Sequence, residues 1–126
     1  MVQKASAALI IWAGLAGAAG VALAAAAAHG SDLSSLTTPA YLLIMHAAAA
    51  VAIVAAAAHA SFPRAFCVAG LILLAGASLF GTDLALRAIY GARLFPMAAP
   101  VGGTTMIVGW LVLAVTGLIE ASARRS

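Results

Sequence analysis

Apolar and polar positions fall in long blocks along this chain instead of alternating residue by residue. Four blocks are almost wholly apolar: 5–28, 39–60, 65–86 and 99–119. A helix needs ~20 such residues, at 1.5 Å rise each, to cross a bilayer. Each block is long enough, and each is bounded by turn residues, charges or aromatic belts. The pattern predicts four transmembrane helices joined by short links. Short links make consecutive helices antiparallel neighbours. The expected fold is therefore an all-α integral membrane protein: an up-down bundle of four spans forming a single domain over 1–126, with no extramembrane domain. The first block resembles a secretory leader, with Lys4 ahead of it and an Ala-rich end. It is longer than the usual ~7–15-residue core of a leader, so it reads as a span.

Composition sharpens this picture. Of 126 residues, 66% are hydrophobic and 7% charged, with mean hydropathy +1.18. A soluble domain carries about 25% charged residues. A chain this apolar cannot cover itself with a hydrated surface, so lipid is its solvent. The pI near 9.8 comes from arginines at helix ends, with no basic run, and does not indicate nucleic acid. Lys4, Arg64, Arg124 and Arg125 fall on the side of both termini. Arg87 and Arg93 fall on the other side, beside Asp32 and Asp83. The excess of basic residues places both termini in the cytoplasm, and the chain in the inner membrane of a bacterial cell. Cys67 is alone and makes no intrachain disulfide.

Local signals set the helix ends. Gly30 reads as the left-handed residue that closes helix 1. Thr38 reads as an N-cap with Pro39 at the first helical position. Pro100 opens the last helix. Helix 1 carries Gly14, Gly17 and Gly20 at every third position. Such small residues allow close backbone approach in lipid, where packing drives association. Gly109 and Gly117 continue a small face on helix 4, and the expected packing glycines are Gly14, Gly17, Gly20 and Gly109.

The few polar residues supply the candidate chemistry. His29, His46, Asp83 with Arg87, and Gly102, Gly103 and Thr104 all fall toward the outer ends of their helices. Asp83 and Arg87 are four apart and share a helix face. A lone charge at bilayer depth costs about 2.5–3.5 kcal/mol on insertion scales. These groups must therefore face one another, water or a ligand. In the first reading they satisfy one another, with Asp83 bonded to Arg87, His29, or the open N–H groups of Gly102 and Gly103. In the second, a small anion or lipid headgroup sits at the helix-4 N-terminus, drawn by its dipole, Arg87 and Arg93. In the third, His29, His46 and Asp83 carry a proton or a metal, which no local ligand spacing supports. Haem would need His29 and His46 as axial ligands, and a hydrogen-bonded packing histidine is the simpler reading. No metal or cofactor is expected. The chain has no phosphate loop, nucleophile elbow or zinc-protease motif, so no enzyme is expected.

The residues also resemble a known family. Tyr41 with His46-Ala47, the run Leu79-Phe80-Gly81-Thr82-Asp83-Leu84, and Pro100-Val101-Gly102-Gly103 followed by Gly109-Trp110 are similar to the domain-of-unknown-function 423 family. That family takes in transmembrane protein 256-like small membrane proteins. The Pro-x-Gly-Gly opening of helix 4 and the histidine of helix 2 are the most specific parts. Two places depart from the family pattern. Ala24–Ala28 replaces a glycine-rich end of helix 1, and Gly81-Thr82-Asp83 stands where Ser-Gly-Ser is common. The resemblance implies a four-span membrane protein and no established activity. The expected function is non-enzymatic: a structural or accessory membrane protein, surrounded by membrane lipid, that self-associates or packs on a larger membrane complex. The alternative is a lipid-, anion- or proton-binding module built on the outer polar layer.

Overall fold

The computed structural model describes residues 2–125. These residues form α1 (Val2–His29), a short 3-10 turn (Ser34–Leu36), α2 (Thr37–Ala57), α3 (Pro63–Tyr90) and α4 (Ala98–Ala123), with no strand among them. All four α-helices are long and apolar enough to cross a membrane. At 1.5 Å per residue, the 28 residues of α1 reach about 42 Å, enough for the core and both headgroup layers. This is a multi-pass membrane protein.

Packing runs up and down in chain order. The late part of α1 meets the early part of α2, where a Cβ on Gly20 would lie 2.9 Å from the Ala40 carbonyl oxygen. The early parts of α1 and α3 lie together, with Leu9 against Gly70. α3 is the centre, and touches each of the other helices. Half of its most apolar stretch is buried, against 22% for α1 and for α4. α4 packs its backbone along α3 alone and stands off from α1 and α2. One side of the α4 cylinder is therefore covered, while Ile107, Leu111, Val115 and Leu118 face outward. The core is filled by Leu9, Leu43, Leu74, Met106 and many alanines. Against lipid, which is equally apolar, such contacts stabilise through close packing and dispersion.

The helix ends differ from the sequence reading in three places. α2 begins at Thr37, because the 3-10 turn feeds straight into it and the Thr37 N–H bonds the Ser34 carbonyl. Thr38 is thus already helical and is no N-cap. Pro39 still fits, since the N–H it lacks is among the first four, which have no partner inside the helix. α4 likewise begins at Ala98, with Pro100 as its third residue. Gly30 follows α1 and donates to the Ala26 carbonyl, but it is not left-handed. The left-handed cap is Gly91 (φ 66°), whose N–H bonds the Arg87 carbonyl as α3 ends. Met97 (φ 69°) mirrors it at the start of α4. A positive φ is uncommon for a side-chain-bearing residue. Two left-handed residues thus bracket the α3–α4 link and turn the chain back on itself.

Candidate functional site

The polar side chains do not assemble into one layer. They make separate ties between elements, among them those through Asp83, His46 and Glu120.

The first tie holds the α3–α4 link. Asp83 lies on α3 and is fully buried. Its Oδ1 accepts a hydrogen bond from the Leu94 backbone N–H at 2.8 Å. Its Oδ2 pairs with Nη2 of Arg87, one turn along the same helix. The Arg87 Nε is also buried and makes no hydrogen bond. One carboxylate thus bonds a loop amide and forms an ion pair with Nη2 of the guanidinium, whose Nε stays without a hydrogen bond. The predicted Asp83–Arg87 pair is present. The bonds entertained from Asp83 to Gly102 or Gly103 are not made.

The second tie lies deeper. Leu42 offers a carbonyl oxygen 2.8 Å from Nδ1 of His46. A carbonyl can only accept, so Nδ1 carries the proton. Nε2 is then a lone pair, and it accepts from Trp110 Nε1–H at 3.3 Å. The two rings meet edge-on, with centroids 5.9 Å apart. Both ring nitrogens of His46 are thus in use, and the side chain bridges α2 to α4 across the flank of α3. A comparable bond on the other flank runs from Trp12 Nε1–H of α1 to Ser78 Oγ of α3 at 3.0 Å.

The third tie is at the end that carries both termini. Glu120 of α4 accepts from the backbone N–H groups of Ser61 at 2.9 Å and Phe62 at 3.3 Å, and from the Ser61 hydroxyl. These are open amides just ahead of α3, whose own N-cap position makes no side-chain bond. Glu120 thus caps another helix. Arg124 pairs with Glu120 at 3.0 Å and donates to the His59 carbonyl at 2.9 Å. α4 is thereby fastened to the α2–α3 link, although its backbone does not approach α2.

The remaining candidate residues lie elsewhere. His29 is exposed at the end of α1. The Thr104 hydroxyl donates to the Pro100 carbonyl of its own helix. Gly102 is turned into the α3 seam, where a Cβ would come within 2.7 Å of the Phe80 nitrogen. Its use is close packing, not an open N–H site. Gly103 sits beside it, with the Phe80 ring 3.9 Å from a Cβ position. Gly109 packs on Leu73 and Gly20 on Ile44, each 2.7 Å from a would-be Cβ. Gly17 makes only ordinary contact with Ala47, and Gly14 has nothing within 4 Å. So Gly14 faces outward and packs against no other helix of this chain.

Glu120 is not among the residues singled out from the sequence. Two signals pointed to it. It stands one turn before Arg124 on an otherwise apolar helix, and Ser61-Phe62-Pro63 opens a helix on the same side. Among the described residues, no three His, Cys, Asp or Glu side chains gather closely enough to hold a metal. A groove of about 450 Å³ lies between the start of α1 and the end of α2, lined by Gln3, Ser6, Val54, Ala57 and Pro63. A smaller one of about 230 Å³, between α2 and α4, is lined by Ala49, Ile53, Phe66, Trp110 and Leu113.

The profile of a family described as Protein of unknown function (DUF423) matches residues 16–103. That stretch runs from the middle of α1 to the first turn of α4. No solved structure matches the chain.

Proposed function

From the premise that the chain belongs to the DUF423 family, we propose a non-enzymatic role: an accessory protein of the cell's inner membrane that associates with itself or with a larger membrane complex. Both termini face the cytoplasm, following the basic residues at that end. One observation carries the proposal. The buried acidic groups are spent on ties within the chain, Asp83 on Leu94 and Arg87, Glu120 on Ser61, Phe62 and Arg124. What the molecule offers its surroundings is apolar and small. Gly14 on α1 and Gly117 on α4 have nothing within 4 Å, beside exposed Ile11, Leu15 and Leu118. In lipid, faces of this kind associate through backbone proximity.

The binding-module alternative draws less support. It needs His29, His46, Asp83 and the Gly102–Gly103 turn around one water-accessible cavity, whereas His46 is bonded to Trp110, Asp83 to Leu94 and Arg87, and Gly102 is packed on α3. Native mass spectrometry of protein extracted gently from its own membrane tests the proposal. A defined oligomer or a stoichiometric membrane subunit is expected. A strict monomer without a partner in mild detergent would count against it.

A further inference from the structure

The α3–α4 link is not an ordinary solvated loop. From Gly91 to Met97 every residue is exposed, and most of the side chains are apolar. Met97 is 61% exposed and Tyr90, just before the link, 75%. Leu94 and Phe95 stand out between them. The link sits at the ends of two spanning helices, where headgroups meet acyl chains and amphipathic rings such as Tyr90 belong. It is also held in shape. The buried Asp83 carboxylate grips the Leu94 N–H, and the left-handed Gly91 and Met97 fix both turns.

Charge decides what such a surface meets. The charged groups of this end of α3 and its link are Asp83, Arg87 and Arg93, of which Asp83 and Arg87 are paired. Asp83 and Arg87 offset each other, so Arg93 is the exposed charge of the link. The carboxylate oxygens are already taken by Leu94 N–H and by Arg87. Of the chain's two other acidic residues, Asp32 is exposed in the α1–α2 link at this same end and Glu120 is committed at the opposite end. Arg93 is exposed, one residue before the gripped amide. Arginine presents a fork of donors that matches a phosphate diester.

We propose that the Gly91–Met97 link is a seat for an anionic phospholipid: Arg93 takes the headgroup phosphate while Leu94, Phe95 and Met97 enter the acyl boundary. Zwitterionic lipids present the same phosphate with a compensating cation, so the exposed Arg93 guanidinium favours the anionic kind. Arg87 is drawn inward by Asp83, which leaves Arg93 as the selective group.

The test uses the full chain in vesicles of equal phosphatidylcholine and phosphatidylglycerol. A small fraction of one lipid or the other carries a photoreactive acyl chain. Adducts are mapped to the Tyr90–Met97 peptide by mass spectrometry. Phosphatidylglycerol should label this peptide about threefold or more over phosphatidylcholine. Arg93→Gln should bring the ratio close to one, and Arg64→Gln, at the other end of the bundle, should leave it unchanged. Equal labelling by both lipids in the parent would overturn the proposal, as would a preference that survives Arg93→Gln. Labelling of α1 and α4 side faces, compared between parent and variants, reports whether the variants remain folded.

Discussion

Asp83 and Glu120 solve the same problem at opposite ends of the molecule. An open backbone N–H near the membrane costs free energy unless an acceptor is supplied, and each carboxylate supplies one while keeping an arginine at its other side. The two should respond differently to isosteric change. Asp83→Asn keeps an acceptor for Leu94 but strands Arg87. Asp83→Leu removes both partners' bonds. Thermal unfolding in detergent should show Asp83→Leu less stable than Asp83→Asn by several degrees, with both below the parent. Equal midpoints for all three would mean the buried pair holds nothing. For Glu120 the sharper readout is local. In Glu120→Ala the Ser61 and Phe62 amides lose their acceptor, so their hydrogen exchange should accelerate about tenfold or more, while the Leu94 amide keeps its rate. Unchanged exchange at positions 61 and 62 would dismiss the capping role.

At the scale of helices, the seam between α3 and α4 is the most exacting contact. Gly76 and Gly102 lie backbone to backbone: a Cβ on Gly76 would stand 2.8 Å from the Gly102 carbonyl oxygen and 2.7 Å from the Met106 nitrogen. No rotamer change relieves a clash with main chain. Gly76→Ala or Gly102→Ala should therefore cost about 1–3 kcal/mol, as overpacking does. Gly14→Ala and Gly117→Ala, with open space around them, should stay within about 0.5 kcal/mol of the parent when the protein is monomeric. Reversible unfolding in mixed detergent micelles compares the four. A flat result across them would contradict the seam. The same contrast shows what sequence could and could not reveal. Four apolar blocks and short links were enough for four antiparallel spans, because length and hydropathy decide that directly. Spacing alone could not say which glycines face inward. Gly14, Gly17 and Gly20 look equivalent in the sequence, yet only Gly20 sits against a backbone. Nor could it foresee that α4 packs on α3 alone. The expected layer of His29, His46, Asp83 and Gly102 presumed that all four helix ends converge. With α4 set to one side, His46 instead meets Trp110, and Gly102 is consumed by packing. The Asp83–Arg87 pair was legible because it is local, one turn of one helix. Leu94 N–H and Glu120 were not, because their partners come from across the fold.

For the whole molecule, the arrangement is a tightly tied interior with two lightly covered flanks, α1 and α4. The ties span both ends and the middle, so the chain should behave as one folding unit. The flanks carry the prediction of association. The most direct measurement is photo-cross-linking in the native membrane, with a photoreactive amino acid placed at position 14 or 117, and in place of the large, fully buried Leu74 as the interior reference. Positions 14 and 117 should yield one discrete protein adduct, either a second copy of this chain or the same membrane subunit from both sites, and position 74 should yield only links within the chain. Adducts to lipid alone at both outward positions would contradict an accessory role exercised through these faces.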